Sequence, residues 1–239
     1  MKILVCLLCA AAALLQAPSA SAFCLLPQPR LVCAEYFASQ FVVEATLLQT
    51  EVLHDKNDPE GISARLYTLR VDGVLRGKVV GRIRIYEGND SGRAPFEWNR
   101  GTKYLLFLFY LPGQKSWSLD GCGNSRPLSE AKATFSEIEL IRAAHGGGVI
   151  HGAVIKEDLA TRVPGVHVEA QGDMGAHAAI TDERGEFQMK VPVGQYSVHV
   201  LGNRASFKKD SISYEDPERI RIEPGGCVQV ELDEVEGTR

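Results

Sequence analysis

The sequence lacks the short motifs that would assign it a function directly. Its 239 residues contain no Gly-x-Ser-x-Gly elbow, no His-Glu-x-x-His helix and no phosphate-binding glycine loop. These are local signatures of hydrolases, zinc proteases and nucleotide-binding proteins. The formal net charge of -4 is also too small to indicate a polyelectrolyte partner by itself. We therefore assign no catalytic residue and no cofactor, and expect a protein that is not an enzyme.

A long apolar run is missing as well. Lys2 precedes thirteen apolar residues, Ile3–Leu15, fewer than the roughly 20 that a spanning helix needs. Small residues follow up to Ala22, which is typical of a secretory signal peptide cleaved there. Residues 1–22 are thus predicted to be a signal peptide, and the mature protein to be secreted or periplasmic without membrane insertion.

The pattern of apolar residues in the first half of the mature chain predicts strands followed by one helix. Apolar residues alternate with polar ones, as in strands with one buried face. The predicted strands lie around residues 41–47, 67–72, 82–85, 104–111 and 116–119. Residues 129–145 show the 3–4 residue spacing of a helix, which Gly146 ends. Five strands and a helix in about 120 residues favour an OB-type Greek-key barrel.

The second half shows an almost continuous two-residue alternation, interrupted by turn signals such as Pro164-Gly165 and Pro224-Gly225. About seven short strands without a helix are typical of a β-sandwich. The predicted fold class is therefore all-β with one helix, an OB-type barrel followed by a sandwich. The domains are predicted at 23–145 and 147–236, with the glycines around 147 as the linker.

Residues 23 to about 144 resemble the netrin-type domain, the OB fold of tissue inhibitors of metalloproteinases. The resemblance is carried by the following segments: Cys24 and Cys33, Val71–Gly77, Gly101–Phe107 and Cys122–Leu128. It implies a secreted metalloproteinase inhibitor as an alternative function. In that family the mature chain begins with a cysteine that ligates the protease zinc, whereas here Phe23 precedes Cys24. We carry over the fold and not the inhibitory mechanism.

Residues 147–236 resemble the carboxypeptidase regulatory-like domain, a transthyretin-like sandwich. The segments that carry this resemblance are Ile150–Val154, Val163–Val168, Thr181–Phe187 and Val193–Val198. In the third of them, Asp182 is expected to cap a turn, Gly185 to supply a positive φ and Phe187 to enter the core. The resemblance implies a non-catalytic module and names no substrate.

Four cysteines lie beyond residue 22, namely Cys24, Cys33, Cys122 and Cys227, and none of them form a Cys-x-x-Cys pair. An even number in an exported protein favours disulfides over a metal site. We expect Cys33–Cys122, which would join the ends of the barrel and stabilise it by roughly 4–5 kcal/mol. Cys24–Cys122 is the alternative, and the remaining cysteine of the first domain would pair with Cys227.

A basic stretch is the one candidate binding surface. Residues 65–103 contain nine Lys or Arg against four Asp or Glu, and Arg70, Arg82 and Arg84 fall on outward strand positions. OB barrels bind oligonucleotides or oligosaccharides on such faces. Because export argues against nucleic acid, the expected partner is an extracellular protein or an anionic polysaccharide. The simpler interpretation is a solvated sheet face, and only Tyr86, Phe96 and Trp98 could add stacking.

The histidines are expected to be solvated rather than metal ligands. His167 and His199 lie on the polar side of their strands, and a surface metal site would require those strands to be adjacent. No metal and no cofactor are therefore predicted.

Overall fold

The computed structural model describes residues 30–57, 61–89, 94, 96–156, 161–201 and 216–234. Residues 1–22, predicted to be a signal peptide, as well as Phe23 and Cys24 lie outside these ranges, so the interpretations that depend on them stay predictions. Within the described ranges, no helix has the length and apolar character needed to cross a bilayer.

Six strands in the described part of residues 41–127 form one sheet. They are β1 (Phe41–His54), β2 (Ile62–Arg76), β3 (Arg82–Gly88), β4 (Lys103–Leu111), β5 (Ser116–Ser118) and β6 (Arg126–Pro127). The sheet follows the order β1-β2-β3-β5-β4-β6, and β1 also pairs with β4. The first five strands therefore close a ring, with a core of alternate residues such as Val43, Leu69 and Leu106.

Among the residues that the structure describes, two α-helices pack against this ring, where a single helix was expected. The expected one is α2 (Lys132–Ala143), preceded by a 3-10 turn at Leu128–Glu130. The second is α1 (Val32–Ala38), seven residues whose N-terminus has no side-chain cap. Tyr36 of α1 and Ile138 of α2 belong to a second small core. Packing stabilises α1, since isolated helices this short are unstable in water.

The described residues between 148 and 234 form seven strands, as the alternation predicts. They are β7 (Gly148–Lys156), β8 (His167–Gly172), β9 (Gly175–Ile180), β10 (Glu186–Val191), β11 (Gly194–Val200), β12 (Ile220–Ile222) and β13 (Cys227–Glu234). One sheet has the order β10-β7-β13 and the other β12-β11-β8-β9. Residues of both sheets, among them Ile150, Val198 and Val230, share one core, so this half is a β-sandwich.

The turn before β10 has the structure that its sequence predicts. The Asp182 Oδ1 atom accepts the backbone N–H groups of Arg184 and Glu186 at 2.8 and 3.0 Å. Gly185 has a φ of 71°, and Phe187 is 5% exposed within the sandwich core. These local interactions fix the direction in which β10 leaves the turn.

Candidate functional site

A row of outward-facing side chains crosses four strands of the ring. Thr46 of β1 lies opposite Lys103 of β4 and Arg70 of β2, and Arg70 lies opposite Arg82 of β3. Directly opposed side chains on one sheet face are about 5 Å apart at their Cβ atoms. The strand register thus brings three cations and one threonine into a continuous line, which we call the basic row (Lys103, Thr46, Arg70 and Arg82).

Carboxylates partly neutralise this face. The Arg70 Nε atom donates to Asp72 Oδ1 at 2.8 Å, and the Arg84 guanidinium lies 3.3 Å from Glu51 Oε2. The Thr46 hydroxyl also donates to Asp72. That hydrogen bond, helped by the positive charges of Arg70 and Lys103, holds the pKa of Asp72 below its usual value. Two of the three predicted arginines are therefore already ion-paired.

Arg82 and Lys103 differ from the other cations of the face. Both are exposed, and neither forms an ion pair within 4.0 Å among the described residues. Arg82 stands directly opposite Arg70, although like charges in opposed positions destabilise a sheet. This arrangement leaves positive charge available to an anion from outside the chain. Sequence analysis missed Lys103, because only the pairing of β1 with β4 places it beside Thr46.

The aromatic residues proposed for stacking separate into two groups. Tyr86 lies two residues beyond Arg84 on β3 and is half-buried. Trp98 instead stacks on Tyr67 with ring centroids 4.5 Å apart, and Phe96 stacks on Tyr104 at 5.2 Å. Both pack against the core of the ring. Of the three aromatic residues that the sequence offered for stacking, Phe96 and Trp98 thus pack against the core, and Tyr86 lies four residues from Arg82 along β3.

Helix α1 carries a buried carboxyl group. Glu35 is 1% exposed, and its Oε2 atom accepts the backbone N–H and the side-chain amide of Asn124 at 2.6 and 2.8 Å. Burial raises the pKa of Glu35 to about 7, against the opposing influence of the Arg30 charge. A Cβ atom at Gly123 would lie 2.2 Å from Glu35 Oε1. The glycine is therefore needed for this contact.

The disulfide differs from the preferred expectation. Cys33 of α1 is bonded to Cys227 of β13, with 5.5 Å between the Cα atoms, so the predicted Cys33–Cys122 pair was wrong. Cys122 is also disulfide-bonded, but the alternative Cys24–Cys122 stays a prediction because Cys24 lies outside the described residues. The Cys33–Cys227 bond ties the ring to the sandwich, which is the pairing that the alternative in the sequence analysis implies for Cys227.

Two polar contacts accompany the Cys33–Cys227 bond between the halves of the chain. The backbone N–H of Leu31 donates to Gln229 Oε1 at 2.9 Å, and the Arg76 guanidinium lies 3.5 Å from Glu223 Oε2. The same guanidinium lies 5.0 Å from the centre of the Phe37 ring. Arg76 thus connects β2, α1 and the sandwich.

One histidine lies beside the disulfide. A ring nitrogen of His151 and the two Sγ atoms of Cys33 and Cys227 all fall within 4.8 Å of one another. Burial lowers the pKa of His151 below its usual value, while the charge of Glu186 acts in the opposite direction. The histidines considered from the sequence behave differently. The strands of His167 and His199 are adjacent, but His199 Nε2 lies 3.4 Å from Glu169 Oε1.

Comparisons with known proteins give little beyond these observations. No family model matches the chain, and no curated protein matches it. Solved structures that it resembles include the TIE protein of Bacillus anthracis, with 13% identity and a TM-score of 0.28 over 82% of this chain and 31% of that one. BcpA, the major pilin subunit of Bacillus cereus, shows 10% identity and a TM-score of 0.29 over 84% of this chain and 61% of that one.

A third similar structure is GBS52, a minor pilin of Streptococcus agalactiae, with 15% identity and a TM-score of 0.28 over 84% of this chain and 85% of that one. The chain therefore spans less than two thirds of the length of the first two. TM-scores this low do not establish a common fold or function. The netrin-type resemblance of the first half finds no support in the comparisons and stays a prediction.

Proposed function

We propose that this chain is an exported, non-enzymatic binding protein that holds an anionic polysaccharide on the basic row of its first half. The observation that carries the proposal is the direct opposition of Arg70 and Arg82 in the same row as the exposed Lys103, which Thr46 separates from Arg70. An anionic ligand that bridges these cations would relieve their repulsion. Such contacts are electrostatic and are weakened by salt.

The first half fits this role as an OB-type barrel, which we propose on the ring order β1-β2-β3-β5-β4. Barrels of that type use a sheet face to bind extended polymers. We also propose that residues 23–145 and 147–236 are two domains, the second a transthyretin-like partner module. This division is supported by the two main hydrophobic cores, since one contains only residues of the first half and the other only residues of the second.

The disulfide bonds support the proposal that the protein is exported. Such bonds persist in oxidising compartments and are rare in the cytosol, and Cys33–Cys227 and the bond at Cys122 are both formed. The proposed location is therefore outside the cytoplasm, secreted or periplasmic. A polysaccharide or another component of the cell envelope would be present in either place.

The test is chromatography on immobilised heparin and on immobilised alginate, which carry sulfate and carboxylate groups. We expect the protein to be retained, and the double variant Arg82→Glu with Lys103→Glu to bind about tenfold more weakly and elute at lower salt. The variant Arg142→Glu with Lys190→Glu makes the same change in net charge at exposed positions elsewhere. It should elute like the parent protein.

Comparing the two double variants distinguishes binding at the basic row from binding that depends only on the net charge of the protein. If both shift elution equally, binding follows net charge and the proposal is wrong. If neither matrix retains the parent protein at low salt, the polysaccharide proposal is also wrong.

A further inference from the structure

The Cys33–Cys227 disulfide and His151 bring together ligands from three separate elements. Cys33 lies on α1, His151 on β7 and Cys227 on β13. The parallel pairing of β13 with β7 sets Gln229 opposite His151, so Cys227 and His151 lie on the same face of the sheet. The opposite face holds Ile150, Val228 and Val230 of the sandwich core. Helix α1 then places Cys33 over the polar face.

The surroundings of this cluster are those of a partly enclosed polar site. Cys227 is 4% exposed, and Gln229 and Glu231 on the same side of β13 are buried. Cys33 and His151 are half-buried, which leaves a path for a small ion. The side-chain amide of Gln229 is held by the backbone of Leu31 at 2.9 Å. The face is thus positioned by contacts from both halves of the chain.

We propose that these three side chains form a metal site once the disulfide is reduced, and that they bind one Zn²⁺ ion. A thiol reductant supplies two electrons, which break the S–S bond and leave the Cys33 and Cys227 thiols. The ion then displaces two protons, binds both thiolate sulfurs and accepts the lone pair of one His151 nitrogen. Two cysteines and one histidine with a water in the fourth position form a known type of zinc site.

The geometry requires only small movements. In tetrahedral zinc sites the sulfur atoms lie about 2.3 Å from the metal and the nitrogen about 2.0–2.1 Å, so ligand atoms are separated by less than roughly 4 Å. The three ligand atoms already lie within 4.8 Å of one another. The spacing of the cysteines in the sequence gave no indication of this site. Its three ligands lie on three separate elements, Cys33 on α1, His151 on β7 and Cys227 on β13.

The site would make the junction of the two halves respond to redox conditions. Under oxidising conditions the sulfur atoms bond to each other and no ligand pair is free. Under reducing conditions in the presence of Zn²⁺, the metal replaces the covalent bond and keeps α1 attached to β13. The site is independent of the basic row, since it uses none of its residues.

The test is a zinc titration of the protein reduced with a phosphine that is then removed, in competition with a chromophoric chelator. The parent protein should bind Zn²⁺ through this site and release protons as it does so. His151→Gln should weaken that binding at least tenfold, and Cys33→Ser should abolish it. His177→Gln removes a histidine from β9, a strand of the other sheet of the sandwich, and should bind like the parent. The oxidised protein should not bind.

A second measurement separates metal binding from the other thiols that reduction exposes. Zn²⁺ should slow the air reoxidation of Cys33 with Cys227, followed by peptide mapping, in the parent protein and much less in His151→Gln. Equal affinity of the parent and His151→Gln would overturn the proposal. So would binding by the oxidised protein, or loss of the folded circular dichroism spectrum on reduction with Zn²⁺ present, because the site requires the folded arrangement.

Discussion

The single side chain of Glu35 should make the free energy of unfolding depend on pH. Its folded-state pKa is about 7, against a usual value of 4.5, so the folded protein holds this proton more tightly than the unfolded chain does. Stability from this group is complete below pH 4.5 and is lost as the pH rises through 7. The difference corresponds to up to about 3 kcal/mol.

Glu35→Gln should therefore flatten the pH profile. The amide is neutral at every pH, and its oxygen can still accept the two hydrogen bonds from Asn124. We expect the variant to be more stable than the parent at pH 8 by up to about 3 kcal/mol, and close to it near pH 4.5. Urea unfolding across this pH range measures the difference.

Glu137→Gln is the control for that experiment, because Glu137 is exposed on α2. It should follow the parent protein at every pH. A Glu35→Gln profile that runs parallel to the parent between pH 4.5 and 8 would show that burial does not hold a proton on this carboxyl group.

At the scale of elements, two glycines have the same backbone conformation, but a side chain would collide with neighbouring atoms at only one of them. Comparing their alanine variants therefore separates the cost of the collision from the cost of the positive φ. Gly185 and Gly165 have φ values of 71° and 73°. A Cβ atom at Gly185 would lie 2.7 Å from the Cβ of Arg162, whereas at Gly165 nothing lies within 4 Å. Gly165→Ala should cost about 1 kcal/mol for the left-handed conformation. Gly185→Ala should cost clearly more, in thermal or denaturant unfolding. Equal losses would mean that the turn adjusts freely.

Much of the element structure could be predicted because burial follows the chain locally. In β8 and β10 every second residue enters the core, as for Val168, Ala170, Met189 and Val191. The pairing of Arg70 with Asp72 also had a signal, since residues two apart in a strand share a face. The sequence contains no local signal for helix α1, because seven residues without a side-chain cap form a helix only through packing.

At the scale of the whole molecule, the contacts that join the halves could not be predicted from local patterns. The sequence left open whether Cys24 or Cys33 pairs with Cys227, because Cys33 and Cys227 are 194 residues apart and their pairing depends on how α1 meets β13. The same holds for His151, whose position beside both sulfur atoms follows from the parallel pairing of β7 and β13. The basic row likewise depends on the register between β1 and β4, which alternation alone leaves open.

The Cys33–Cys227 bond is expected to make the two cores unfold together. Closing a loop of this length stabilises a chain by about 5 kcal/mol in the chain-entropy model, and the Cys122 disulfide reduces that figure because it already restricts the unfolded chain. Removing the bond leaves the Leu31–Gln229 hydrogen bond and the Arg76–Glu223 ion pair among the connections between the halves. Separate cores with few connections unfold in separate steps.

Cys33→Ala with Cys227→Ala should therefore lower the melting temperature and resolve calorimetric unfolding into two transitions. Glu223→Gln removes only an exposed partner of Arg76, and such ion pairs contribute little, so this control should retain the parent's single transition. If the double alanine variant instead unfolds in one transition at a lower temperature, the packing of α1 against β13 couples the cores without the covalent bond, and the proposed division into two domains would not hold.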